Sequence, residues 1–130
     1  PALEETSPPG NGFLANVCRD WETETFKANA LGIRTVALRL GIILGHDGGI
    51  TAKMLPPFRM GLGGPLGKGD SWMSWIHVRD VAGLILTALE NSSYQGPINA
   101  VSPHPVKNSE FTRILAGVLK RPAFFNILRK

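Results

Sequence analysis

The chain has 130 residues, with 43% hydrophobic side chains, 18% charged ones and a net charge of +4. That balance suits one soluble globular domain with its own core and excludes a disordered or low-complexity chain. No apolar run nears the about 20 residues that a membrane-crossing helix needs, and no signal peptide is visible, so a cytoplasmic location is expected.

A single cysteine, Cys18, excludes an internal disulfide and any cysteine-rich zinc site. The positive charge is spread along the chain and is denser near the end, at Lys107, Arg113, Lys120, Arg121, Arg129 and Lys130. Such a field suits an anionic ligand such as a nucleotide. No zinc finger, basic helix or aromatic RNA-binding signature is present, so nucleic acid is not an expected partner. The chain opens on Pro1 and ends on "NILRK", which reads as part of a longer protein.

Residues 1–12, "PALEETSPPGNG", are rich in turn formers and predict an irregular loop. A helix then begins near Phe13. Leu14, Val17, Cys18, Trp21, Thr25 and Ala28 recur at helical spacing, which predicts one buried face with Trp21 and Cys18 in it. Gly32 provides the stop. "RTVALRLGIIL", residues 34–44, is apolar at both parities over much of its length and predicts a strand buried on both faces, typical of a parallel sheet. A helix, a tight glycine turn and a buried strand make an αβ unit of a doubly wound α/β fold. "GHDGG", residues 45–49, leaves that strand at its carboxyl end, where ligands sit in such sheets. His46 and Asp47 in this loop are the candidates for acid–base chemistry.

Residues 50–60 predict a short helix that Pro56 and Pro57 break or kink. "GLGGPLGKGD" is a glycine-rich loop without a P-loop ending or a dinucleotide fingerprint; a phosphate contact and a plain connection both remain open. A short strand over 71–77 and a helix over 78–90 follow, with Asp80 in the first turn, where the helix dipole favours a carboxylate. "PINAV" predicts another short strand, and Ser109 a cap for a last helix. His46, His77 and His104 show no metal-ligand spacing, and no metal is expected.

"FLANVCRDWE", "LRLGIILGHDGG", "MLPPFRMGLGGPLGKG", "SWIHVRDVAG" and "PHPVKNSEF", in that order, span nearly the whole chain. In this order they resemble the C-terminal half of extended short-chain dehydrogenase/reductases, the sugar-nucleotide epimerase and dehydratase group. More closely, they resemble an atypical branch, the epimerase family proteins. The resemblance implies the C-terminal half of a Rossmann-type doubly wound parallel sheet plus a small substrate lobe. Residues 1–45 and 78–101 would form the Rossmann body, and 46–77 and 102–130 the lobe. It implies an NADP or NAD cofactor, a small-molecule substrate, and an oxidoreductase or a sugar-nucleotide epimerase-like activity, with a non-catalytic NADP-binding protein as the alternative. Leu40, Gly41 and Ile42 match the strand end that passes the nicotinamide. Gly41 would either admit the cofactor or simply end a strand. Lys53, Met54, Phe58 and Arg59 match the segment covering the substrate, with Arg59 as an anion contact or a solvated surface charge. Trp75 would face the cleft. Members often pair through helices, which makes the first helix a candidate surface for a homodimer.

The chain departs from the family pattern in three respects. The group's Tyr–Lys pair, four residues apart on a helix, carries the proton that accompanies hydride transfer. Here the Tyr slot falls on Phe13 or Leu14 and the Lys slot on Val17 or Cys18, while the sole tyrosine, Tyr94, lies elsewhere. Met73 stands where extended epimerases tend to carry an arginine for the sugar-nucleotide diphosphate. Ile42 stands where some members place a polar residue on the substrate.

Overall fold

The computed structural model describes residues 3–46 and 48–125. In chain order the elements are α1 (Phe13–Phe26), a 3-10 turn (Lys27–Leu31), β1 (Val36–Leu40), β2 (Ile42–Leu44) and α2 (Gly49–Arg59). Then follow β3 (Trp72–Met73), β4 (Trp75–His77), α3 (Val78–Glu90), β5 (Gly96–Ala100), β6 (Val106–Lys107) and α4 (Asn108–Leu119). The chain divides into two compact units, one of residues 1–39 with 82–100, the other of residues 40–81 with 101–130.

In the first unit β1 pairs with β5. Arg34 closes the carboxyl end of α3: its guanidinium donates to the Ala88, Leu89 and Tyr94 carbonyls at 2.7–3.1 Å. A cation there meets both the orphan carbonyls and the negative end of the helix dipole. Arg39 binds Glu22 of α1 through two parallel hydrogen bonds, 2.7 and 2.8 Å, and donates a third to the Glu5 carbonyl. The Glu5 carboxylate accepts the Asn99 amide of β5 at 2.8 Å. The turn-rich opening segment is thereby tied to a strand and a helix.

Both carboxyls sit below the ordinary carboxylate range, Glu5 because it accepts the Asn99 amide and Glu22 because it is paired with Arg39. A carboxylate depressed by folding stabilises the folded state above its unfolded pKa, and that stability is lost as pH falls through the folded value. Glu22→Gln should therefore lower stability near neutral pH by no more than about 1 kcal/mol, since the pair is partly solvated. The difference between variant and parent should shrink as pH drops below the ordinary glutamate value of about 4.3. Urea midpoints across an acid pH series check this; a difference that grows on acidification would contradict it.

The apolar stripe expected on α1 is present, but it is not buried. Leu14 is 75% exposed and Trp21 70% exposed, and Cys18 is exposed too. Helical periodicity reports which face is apolar, not what covers it, and no element among the described residues covers this one.

The second unit is built on one parallel pair, with Ile42 opposite Trp75, Ile43 opposite Ile76 and Leu44 opposite His77. The predicted strands over 34–44 and 71–77 are each divided. At Gly41 the chain passes so close to β4 that an added Cβ would lie 2.7 Å from the Ser74 carbonyl oxygen and 2.9 Å from Val101 Cγ1. At Ser74 the second strand changes partners. Trp72 and Met73 pair antiparallel with β6, Trp75–His77 pair parallel with β2, and the Ser74 carbonyl accepts the Ile42 amide at 2.8 Å.

Helix α2 runs through Pro56 and Pro57 to Arg59 instead of breaking. The two prolines leave only the Ala52 and Lys53 carbonyls without helical donors. Both residues are exposed, so water can serve them. Phe58, fully buried, is the core of this unit, and its ring lies where a Cβ on Gly63 would come within 2.5–2.7 Å. The glycine loop is thus shaped to let backbone close over an aromatic ring. Helix α4 begins at Asn108 with Lys107, not Ser109, at the cap position and no side-chain cap. Its first amides are taken by backbone instead, Asn108 N–H by Ser71 O and Ser109 N–H by Gly69 O, both at 2.9 Å.

Candidate functional site

Parallel strands β2 and β4 end side by side, at Leu44 and His77. Ligands of open α/β sheets gather outside the carboxyl ends of strands. A cavity of about 310 Å³ lies there, between those ends, α2 and α4. Its wall is mostly hydrocarbon, including Ile50, Met54, Phe111 and Leu115. Among the described residues, the polar side chains lining it are those of His46, Thr51 and His77.

Two of these have defined chemistry. His77 immediately precedes α3, and its Nδ1 accepts the Arg79 amide at 3.2 Å. It fills the role that Ser or Asp usually plays at a helix start. An Nδ1 that accepts must be unprotonated, so the neutral ring carries its hydrogen on Nε2 and presents a donor. Three residues on, Asp80 sits in the first turn of the same helix. The Thr51 hydroxyl, on the first turns of α2, is buried without a hydrogen-bond partner in the described structure. A buried hydroxyl in that state costs about 1–3 kcal/mol unless something supplies the bond.

The residues singled out from the sequence do not all gather here. His46 and Met54 line the cavity; Asp47 lies outside the described residues. Leu40, 48% exposed, Gly41 and Ile42 follow one another along the β1–β2 junction. The close approach to Ser74 and Val101 accounts for the glycine at 41 by itself. Lys53 and Arg59 are exposed on α2, and Arg59 has no ion-pair partner among the described residues. Phe58 is buried in the core rather than at a surface. Trp75 is half-buried, and its indole N–H donates to the His104 carbonyl at 3.0 Å, pinning the loop before β6. Met73 is buried, with its sulfur 3.2 Å from Asn108 Nδ2.

Thr51 and His77 were not legible as site residues. Thr51 reads as one more position of a proline-disturbed helix, and His77 as the end of a strand. Only the alignment of two strand ends brings them to one cavity. Among the described residues there is no cluster of three metal-ligating side chains, and no helix is long and apolar enough to cross a membrane.

The family model described as "NAD dependent epimerase/dehydratase family" matches residues 3–101. "Epimerase family protein SDR39U1 homolog, chloroplastic" of Arabidopsis thaliana is 48% identical over 125 residues, 96% of this chain and 36% of its own length. Among solved structures, human epimerase family protein SDR39U1 (isoform2) with NADPH superposes with a TM-score of 0.82 at 37% identity, covering 95% of this chain and 42% of that one. A nucleoside-diphosphate sugar epimerase from Corynebacterium glutamicum gives 0.77 at 38% identity, covering 95% and 28%. The chain spans 36% to 43% of the length of the curated relatives it matches.

Proposed function

This chain belongs to the NAD dependent epimerase/dehydratase family and has its Rossmann-type α/β fold, and from that premise we propose that the full-length protein is an NADP(H)-dependent oxidoreductase acting on a small carbonyl compound or the corresponding alcohol. The observation that carries this reading is the apolar cavity at the paired ends of β2 and β4, with His77 among its lining residues.

The cofactor side rests on fewer residues. Leu40 and Ile42 offer an apolar strand end against which a nicotinamide can lie, and a solved relative carries NADPH. No glycine fingerprint for the pyrophosphate occurs in these residues, so that grip would come from elsewhere in the protein. When bound, the nicotinamide supplies or accepts the hydride. The chain's own part is to exclude water with the α2 and α4 side chains and to hold the substrate oxygen. In this reading the His77 side chain polarises that oxygen, a task for which the Tyr–Lys positions on α1 offer only Phe13 or Leu14 and Val17 or Cys18. His46 and Asp47 are the further acid–base candidates, and Lys53 and Arg59 the exposed cations that an anionic substrate edge would meet.

A sugar nucleotide fits the site less well. Met73 is buried where the group tends to carry a diphosphate-binding arginine, and among the described residues no lysine or arginine lines the cavity. The absent Tyr–Lys pair favours one second reading, a protein that holds NADP(H) without turning substrate over.

The full-length protein, purified without added nucleotide and analysed by native mass spectrometry, should release NADP(H) on denaturation or take it up stoichiometrically. Failure to retain or bind either nicotinamide dinucleotide would remove both readings.

A further inference from the structure

We propose that a second cavity, on another side of α4, binds a small phosphate monoester with an apolar body, and that Arg113 and Arg121 hold its phosphate. This goes beyond the nicotinamide reading and does not rest on it. None of the residues that the family resemblance assigns to cofactor or substrate lines this cavity.

Helix α4 contributes to two cavities. Phe111, Ile114 and Leu115 line the one at the strand ends, whereas Ser109, Arg113 and Ala116 line this one, of about 370 Å³. Arg113 stands on α4 itself, and the Arg121 amide donates to the Ala116 carbonyl at 3.0 Å, so both arginines spring from fixed backbone. Arginines with a structural task in this chain are visibly engaged: Arg34 donates to three carbonyls and Arg39 to the Glu22 carboxylate. Among the described residues, the guanidiniums of Arg113 and Arg121 have no hydrogen bond and no ion pair. Nor does any Asp or Glu among them line the cavity. Two cations on one cavity without a counter-charge select a dianion. A guanidinium matches phosphate through two parallel hydrogen bonds. A phosphate monoester carries close to two negative charges at neutral pH, and a carboxylate only one. Pro65, Pro122 and Phe124 make the rest of the lining apolar, which selects a hydrocarbon or single-ring body. The volume, about twelve times the about 30 Å³ of one liquid water, holds a phosphate and one ring.

The test is a calorimetric titration of the full-length protein with phenyl phosphate, benzoate and inorganic phosphate, each with and without saturating NADPH. Phenyl phosphate should bind about tenfold more tightly than inorganic phosphate, because the ring leaves water. It should also bind more tightly than benzoate. Raising the ionic strength from about 0.1 M to about 1 M shortens the screening length from about 10 Å to about 3 Å and should weaken phenyl phosphate. Arg113→Gln and Arg121→Gln should each weaken it about tenfold. Both side chains are exposed, so neither change threatens the fold. Lys120→Gln removes a charge next to Arg121 but outside the lining, and should change the affinity less than about twofold.

Four results would each overturn the inference: no binding of phenyl phosphate, equal affinity for inorganic phosphate, equal loss in all three variants, or binding that NADPH displaces and neither arginine variant weakens. The third would mean a diffuse positive field, and the last a phosphate held at the cofactor site. The two proposals fail separately. NADPH uptake without arginine-dependent phenyl phosphate binding sinks this one and leaves the cofactor reading standing; phenyl phosphate binding without nicotinamide uptake does the reverse.

Discussion

Gly41→Ala is expected to destabilise the protein by about 1–2 kcal/mol, more than its single methyl suggests. The added Cβ would sit 2.7 Å from the Ser74 carbonyl oxygen, 2.9 Å from Val101 Cγ1 and 3.0 Å from the Ser74 carbonyl carbon. Two of these three neighbours are backbone, which cannot rotate away as a side chain can. Overpacking of this kind costs about 1–3 kcal/mol. Against it stands a gain of about 0.4–1 kcal/mol, because alanine restricts the unfolded chain more than glycine does. That gain is available because Gly41 is not among the positive-φ positions, so the backbone itself tolerates alanine. The steric term wins. Relief requires β2 and β4 to part at Ser74, the carbonyl that accepts the Ile42 amide. Strand separation there would also disturb the paired ends at Leu44 and His77, and with them the wall of the cavity. Gly63→Ala, set against the rigid Phe58 ring, supplies a control that strains the core of the same unit away from this junction. A Gly41→Ala protein as stable as its parent would show that the junction is looser than described.

Asn108→Ala should cost about 2 kcal/mol. Asn108 is 2% exposed at the start of α4, and its Oδ1 accepts the Leu66 amide at 2.7 Å. Its Nδ2 donates to Met73 Sδ at 3.2 Å. One side chain thus joins the glycine loop, β3 and α4. Truncation strands the Leu66 amide, at about 1–3 kcal/mol for a group cut off from water, with partial solvation holding the cost below the top of that range. It also opens a small void beside Met73. The urea midpoint should fall with the slope unchanged, as for a loss of native stability alone. An unchanged midpoint would mean that water satisfies Leu66 as well as Asn108 does.

Asn108 also shows what was legible in the sequence and what was not. The helix over 78–90, the glycine stop at Gly32 and the αβ order follow from local periodicity and turn chemistry, and the structure has them. The cap on α4 did not follow, because its first amides are satisfied by Gly69 and Ser71, some forty residues earlier in the chain. Likewise the run from Trp72 to His77 alternates like one strand, yet it serves two sheets, because Ser74 breaks the pairing between them. Pro56 and Pro57 predict a break or a kink, and the helix runs through them because the local penalty is small where the orphaned carbonyls face water. The stripe on α1 is real in the sequence, yet Leu14 and Trp21 are exposed, since a pattern names a face and not its cover. At the site, His46 was singled out from its place at a strand end and Met54 from the family resemblance, and both line the cavity. Thr51 and His77 were not singled out, because what distinguishes them is an unmade hydrogen bond and a made one, which only coordinates reveal. The tryptophans of "GDSWMSWIHVRDVAG" likewise have separate duties: Trp72 lies exposed under the Lys107 ammonium, 5.9 Å from the ring centre, and Trp75 holds the His104 carbonyl.

The most direct measurement follows the nicotinamide absorbance of NADPH mixed with the full-length protein and hexanal, beside a parallel reaction with UDP-glucose. Consumption of NADPH with hexanal, and none with UDP-glucose, is the predicted result. Interconversion of UDP-sugars without any reduction of hexanal, or stoichiometric NADPH binding with no turnover of any carbonyl compound, would contradict it.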